Sequence, residues 1–510
     1  MTLYDLFYNS VLDFPNHTAI ICGNCELTYK QLNEQINLLT DVLLAHGIKK
    51  GERVGVFYPN CVFYAALFYA ALRVGAVFVP FNIRLSDAET AELVNITGCS
   101  TFIFHRSFQD RINALDSACG SIERWIAGGD DNLDEPADFR KSEAAAESVP
   151  VSGDDEALII FTGGTTCHGS AVVSTHEALV CRVVMRYRDE KRIMPDDVML
   201  NHAPMFHTGG LSIMFQTLAS GGCFLMGRKF DADDIIDECE QYGVTQLILI
   251  PPSIVYRIVK SSHIAEGKLS SVKLVVLAGG ASDEETVAKV FETFKNADVY
   301  LSYGSSENSV TLSQRITRKA FAERPALIKS SGRASMMSRV KLLDDDGNEV
   351  PIGQPGEAWG KSPAQMKEYI DKDCHAVDGW LPTGDIFIRD EEGYFYFVTR
   401  KKNMIKSGGE NVYAEEVEAT IRKHPAVKDC VVFGLHRDKC GETVAAAVVI
   451  QPGAALSGKE LISFCKANLA SYKKPRTVFF ISDIPTSAAG KVARGELIEI
   501  MKSRTPDYVL

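Results

Sequence analysis

Two short stretches hold residues whose types suit the handling of a polyanion. "FTGGTTCHGS" (161–170) sets small and hydroxylated residues after an apolar run, which is how a loop offers backbone N–H groups to phosphate. It lacks a cation, since no lysine or arginine follows within ten positions of its end. "YGSSE" (303–307) places hydroxyls and a carboxylate just beyond a glycine. A lone lysine, Lys491, stands in the small-residue stretch "PTSAAGKVAR" (485–494), where on its own it reads as solvent decoration.

The segments around these residues alternate short apolar runs with amphipathic ones, the pattern of parallel-sheet units. "ALIIF" (157–161), "QLILI" (246–250), "KLVVLA" (273–278) and "DVYLS" (298–302) are strand candidates. Ligands of open α/β sheets bind beyond the carboxyl ends of strands. That rule places Thr162–Thr166, Gly279–Ala281 and Tyr303–Glu307 around one site at one sheet edge. From about residue 340 the pattern becomes hairpins, "RVKLLDDDGNEV" and "DIFIRDEEGYFYFV". A compact end follows, with helices near 414–423 and 459–469 and strands near 428–434, 443–450 and 477–481. The basic run "TRKKNMIK" (399–406) sets the expected boundary between a domain of residues 1–402 and one of residues 403–510. Residues 126–156, acidic and rich in breakers, read as a surface connection between two lobes.

A chain of 510 residues is long enough for two or three domains. Its net charge of −12 argues against a nucleic-acid partner. The 13 cysteines lack metal-site spacing, so Cys22 and Cys25 read as a turn between strands, and scattered thiols fit a reducing cytoplasm. The N-terminus has no signal-peptide pattern. The apolar stretch 61–81 is interrupted by Arg73, Gly75 and Pro80 and reads as a buried helix and strand, not a membrane span.

Read in order, five motifs resemble the adenylate-forming superfamily of acyl-CoA and aryl-CoA synthetases, luciferases and peptide-synthetase adenylation domains. They are "FTGGTT", "YGSSE", "GWLPTGD" (379–385), "RKKNMIKSGGENVYAEEVE" (400–418) and "PTSAAGKVAR". The resemblance implies an α/β fold, with a large N-terminal α/β domain of stacked sheets and a small mobile α+β C-terminal domain. It also implies an ATP-dependent ligase that joins a carboxylic acid to AMP and then to a thiol, with Mg²⁺ and coenzyme A. By the same resemblance Thr162, Gly164, Thr165 and Thr166 would cradle phosphate, and Gly279, Gly280 and Ala281 would let the base approach the backbone. Tyr303 would stack on adenine beside Gly304, Ser306 would touch phosphate and Glu307 would hold Mg²⁺. Asp385 and Arg400 would bind the ribose, Gly408 and Gly409 would face the pantetheine arm, and Lys491 would swing in as the catalytic cation. His207, in "NHAPMFHTGGLS" (201–212), stands either as a wall of the acid pocket or as a core histidine satisfied by backbone.

The chain departs from the family pattern in its phosphate loop, where Ser170 occupies the usual lysine position. Weaker ATP binding or slower turnover is expected. Asn403 stands where the family usually has Asp or Lys at its hinge. "FHTGG" offers no carboxylate for an α-amine, which favours an acyl or aryl acid over an amino acid. Fewer than twenty residues follow Lys491, so a carrier-protein acceptor would be a separate chain, and the protein is expected to be a monomer or homodimer. Two alternatives stand beside the CoA ligase: an adenylate former that loads a separate carrier protein, and a non-catalytic nucleotide- or adenylate-binding relic.

Overall fold

The computed structural model describes residues 1–129, 149–162, 170–189, 193–265, 267–279, 284–407, 410–437, 441–486 and 492–510. They form two compact units, one over 1–162, 170–340 and 360–381 and the other over 341–359 and 382–510. The hairpin segments that begin near residue 340 thus group with the C-terminal part of the chain.

The first unit contains two large sheets with helices against them. One has nine strands, and it includes Val198–Asn201, Gln246–Leu249, Leu274–Leu277 and Asp298–Ser305, paired in parallel in that order. The other has seven strands and includes Val77–Pro80, Glu156–Phe161, Ala171–Thr175 and Glu368–Tyr369. Apolar runs such as "ALII" (157–160) are fully buried, as expected of strands covered on both faces. The helix Val62–Arg73 is buried from Val62 to Leu72 and is followed by Gly75, at φ 72°, and the strand Val77–Pro80. The apolar stretch 61–81 is therefore a core helix and strand. Among the described residues no helix is long and apolar enough to cross a membrane. Cys22 and Cys25 face each other at the close of a tight antiparallel turn.

Two expectations are corrected. "ALIIF" does not share a sheet with the strands before Gly279 and Tyr303, because it lies in the seven-stranded sheet and they lie in the nine-stranded one. An apolar run reports burial but not which neighbour provides it. Nor does the acidic 126–156 segment join two lobes. Residues 130–148 lie outside the described residues, but the described start belongs to the strand Arg124–Gly128 and the end to Glu156–Phe161, both in the seven-stranded sheet.

The second unit has a four-stranded sheet ordered Arg339–Leu343, Pro355–Lys361, Leu381–Arg389, Phe395–Arg400. It also has a sheet built on the long antiparallel pair Val427–Arg437 and Gly441–Ile450, packed by the helices Ala414–Ile421 and Gly458–Asn468. These elements match the sequence expectations to within a few residues.

Candidate active site

The phosphate-loop motif joins two antiparallel strands. Phe161 pairs with Ala171, and the Thr162 amide donates to the Ser170 carbonyl at 3.0 Å. The described ends of the loop are therefore paired as antiparallel neighbours. Gly164, Thr165 and Thr166 lie outside the described residues, as do Gly280, Ala281, Gly408, Gly409 and Lys491.

"YGSSE" ends the strand Asp298–Ser305 and begins the turn to its antiparallel partner Ser309–Ile316. A Cβ on Gly304 would lie 2.0 Å from the Ser309 carbonyl oxygen, so the hairpin closes only with glycine here. Tyr303, half-buried, ends the regular pairing just before a register shift. Ser306 and Glu307 are held from three directions. The Ser306 hydroxyl lies 2.8 Å from that of Thr208, at the start of the helix Thr208–Ala219. The Met366 amide donates to the Glu307 carbonyl at 2.7 Å. The Tyr369 hydroxyl donates to Glu307 Oε1 at 2.7 Å. Burial, and then the Glu307 charge, push the Tyr369 phenol far above its ordinary range, so it stays a donor.

Beneath this turn lies a residue that sequence reasoning missed. Arg182, on the helix His176–Asp189, is only 3% exposed. Its guanidinium donates to the carbonyls of Ala364 and Ser306 and to the Ser174 hydroxyl, each at 3.1 Å. Burial pulls its pKa down to about 10, while Glu307 acts in the opposite direction, so it keeps its charge. Arg182 thus places a fixed positive charge behind Ser306 and Glu307. The sequence did hold a signal. Arg182 follows Ala178 by four positions and Leu179 by three, on the helix face that is buried.

Gly279, at φ 74°, follows the strand Leu274–Leu277. Cβ atoms on Gly209 and Gly279 would come within 2.6 and 2.8 Å of the Ile250 side chain. Ile250 therefore sits between the two, and the helix start meets the end of that strand. His207 is the N-cap residue of this helix, half-buried against Phe206 with ring centroids 4.7 Å apart. Thr162, Gly279, Tyr303, Gly304, Ser306, Glu307 and His207 all belong to the first unit.

Asp385 and Arg400 belong to the second unit. They face each other across antiparallel strands, with Arg400 Nε 3.5 Å from Asp385 Oδ1. Gly384 turns the backbone at φ 71°, and the Thr383 hydroxyl binds the Ala358 carbonyl and receives the Asp385 amide. Asp385 is 7% exposed whereas Arg400 is exposed. Beyond them the basic run is tied down. Lys401 donates to Glu357 at 2.8 Å, and the Asn403 amide donates to Glu415, which also accepts from the Thr399 hydroxyl. The described residues flanking Lys491 are joined. Thr486 bridges Val492, and the Ala493 amide donates to the Pro485 carbonyl at 2.8 Å.

Among the described residues no group of three or more His, Cys, Asp or Glu side chains could cage a metal. Glu307 alone fits Mg²⁺, an ion bound through one or two carboxylates while phosphate oxygens and water complete its shell.

Residues 7–370 match the AMP-binding enzyme family, and residues 416–491 match the AMP-binding enzyme C-terminal domain. The long-chain-fatty-acid–CoA ligase FadD13 of Mycobacterium tuberculosis is 33% identical over 502 residues, covering 94% of each chain. The feruloyl-CoA synthase of an Amycolatopsis species is 31% identical over 489 residues, covering 95% of this chain and 96% of its own. Among solved structures, ATP-bound MatB from Rhodopseudomonas palustris superposes with a TM-score of 0.87 at 25% identity, covering 99% of each chain. The match over residues 7–370, together with relatives 33% and 31% identical along nearly the whole chain, shows that the chain belongs to the AMP-binding enzyme family, the adenylate-forming superfamily.

Proposed function

We propose that this protein is an ATP-dependent carboxylic acid–CoA ligase that works through an acyl-adenylate. The supporting observation is Glu307, a half-buried carboxylate set by Tyr369 above the buried charge of Arg182. That arrangement has a use where a metal–nucleotide complex must be aimed. In the first half-reaction a substrate carboxylate oxygen attacks the α-phosphorus of ATP, and the bond to pyrophosphate breaks. In the second, the thiol sulfur of coenzyme A attacks the acyl carbon, loses its proton, and AMP leaves. Both steps bring negative charge together, so the protein's work is positioning and neutralisation.

In this reading Tyr303 stacks on the base, with Gly279, Gly280 and Ala281 giving the backbone close access to it. The Ser306 hydroxyl, with Thr162, Gly164, Thr165 and Thr166, donates to phosphate oxygens. Glu307 holds Mg²⁺, which when bound neutralises phosphate charge. Asp385 accepts from the ribose hydroxyls with Arg400 beside it, and Gly408 and Gly409 admit the pantetheine arm. Lys491 neutralises the meeting carboxylate and α-phosphate, carried by a domain of residues 403–510 that turns at Asn403. His207 lines the acid pocket. The acid is an acyl or aryl carboxylic acid, and the protein works in the cytoplasm.

The phosphate hairpin, with Ser170 where the family usually has lysine, favours one second reading, a nucleotide-binding relic without catalysis. Acid-dependent exchange of labelled pyrophosphate into ATP, run over a panel of aliphatic and aromatic acids, separates the two. Exchange with any acid supports the ligase, and ATP binding without exchange supports the relic. Thioester formation with coenzyme A, tested against an acyl carrier protein, then identifies the acceptor.

A further inference from the structure

The missing phosphate-loop cation has a structural neighbour. The short strand Glu368–Tyr369 pairs antiparallel with Ala171–Thr175, which leaves the phosphate hairpin directly, with Tyr369 opposite Val172. Beyond the pairing the two segments stay joined. The Ile370 amide donates to the Ala171 carbonyl at 3.0 Å, and the Ala171 amide donates to Asp371 Oδ1 at 3.1 Å. Ile370 and Asp371 therefore run beside Ala171, next to Ser170, the position of a loop lysine. The next residue is Lys372. Its ammonium lies 4.3 Å from the centre of the Tyr369 ring, and the hydroxyl of that ring binds Glu307. Lys372 thus follows directly on the segment tied to Ala171, and it rests on the ring whose hydroxyl holds the carboxylate read as the metal ligand.

We infer that Lys372 is the cation for the β- and γ-phosphates of ATP, supplied from the segment that follows a neighbouring strand in place of a lysine within the loop. The inference rests on the nucleotide reading above and adds to it a residue that the sequence motifs do not assign. Arg182 cannot take the role by contact, since it is 3% exposed and engaged by three protein oxygens. Ser170 is itself 7% exposed, so a side chain there is poorly placed to meet solvent-borne phosphate. Lys372 is exposed on a flexible stem, and the Tyr369 ring gives it a resting place from which an ammonium can move to an anion.

The test is equilibrium binding of Mg·ATP and of AMP to the full chain, compared between wild type, Lys372→Met and Lys372→Arg. Because the cation serves phosphates that AMP lacks, Lys372→Met should weaken ATP about tenfold or more and leave AMP within twofold, with Lys372→Arg near wild type. Equal losses for both nucleotides, or no loss for ATP, would overturn the inference. Pyrophosphate exchange on the same proteins tests the underlying reading separately. If wild type binds ATP but exchanges nothing with any acid, the ligase reading fails while the ATP-selective loss still supports Lys372. If wild type binds neither nucleotide, both fail.

Discussion

Arg494→Met should unfasten the C-terminal part of the chain near the segment proposed to carry the catalytic lysine, and the loss should depend on pH with a definite sign. Glu418 is 4% exposed, and its Oε1 accepts from Arg494 at 2.6 Å and from the Val432 amide at 2.8 Å. Arg494 also donates to the Val432 carbonyl. Removing one partner of a buried ion pair costs about 3–5 kcal/mol, because the other charge is left in a poor medium. Arg422 remains 3.6 Å from Glu418 Oε2, so the lower end, about 3 kcal/mol, is expected. Burial pushes the Glu418 carboxyl above its ordinary range, and the Arg494 charge is the largest influence pulling it back. A raised carboxyl binds its proton more tightly folded than unfolded. Its stabilising contribution is complete below the ordinary carboxylate range and is lost as pH rises through the folded value. Without Arg494 that value climbs further, so the deficit should be largest near pH 7 and shrink on acidification towards the ordinary glutamate value. Hydrogen exchange in urea, read on peptides from Val427–Arg437 and Gly441–Ile450, gives the local stability at each pH. A deficit below 1 kcal/mol, or one that does not change with pH, would refute the reasoning. Arg494 follows Lys491 by three residues and Val492 carries the bridge to Thr486. At pH 7 the variant should therefore also lose adenylate formation more than thioester formation from supplied acyl-AMP.

Three further outcomes are expected. Lys491→Ala should abolish adenylate formation yet spare thioester formation from supplied acyl-AMP, and equal loss of both half-reactions would remove its assigned role. Tyr369→Phe deletes the hydrogen bond that sets Glu307. Because Glu307 is only half-buried, water can partly replace it, and about 1 kcal/mol, or a several-fold rise in the Mg²⁺ needed for half-maximal exchange, should follow. An unchanged Mg²⁺ requirement, or an equal rise in the KM for the acid, would count against Glu307 as the ligand. His176 is fully buried, accepts from the Leu3 amide, and is held down to about 4 by burial. Its proton is bound more readily in the unfolded chain, so its stabilising contribution is complete above about pH 6.5 and is lost as pH falls towards 4. At about 1.4 kcal/mol per pH unit that is roughly 3 kcal/mol. Acid unfolding of His176→Gln should show a shallower dependence on pH over that window, and superimposable slopes would refute the assignment.

What could be read from the sequence followed from how local each signal is. Buried strands such as "LVVL" (274–277) declare themselves by apolar content, and the hairpins near 340 and 390 by acidic residues and glycine, because both signals lie within a few neighbouring positions. Sheet membership does not, since the partner of "ALIIF" is chosen by packing far along the chain. The same limit explains Tyr369 and Lys372. The strand that carries Tyr369 and ends three residues before Lys372 has two residues, too few for any period, and it pairs with residues some two hundred positions earlier. The site follows the same division. The glycine and hydroxyl pattern pointed to the loop proposed to hold phosphate, but where its charge resides is a matter of tertiary placement. The first unit provides one positive charge that is buried and fixed, at Arg182, and one that is exposed, at Lys372. The fixed charge shapes the turn that carries Glu307 and the exposed one can meet phosphate, so neutralising Arg182 should cost both folding and metal use, whereas neutralising Lys372 should cost ATP binding alone.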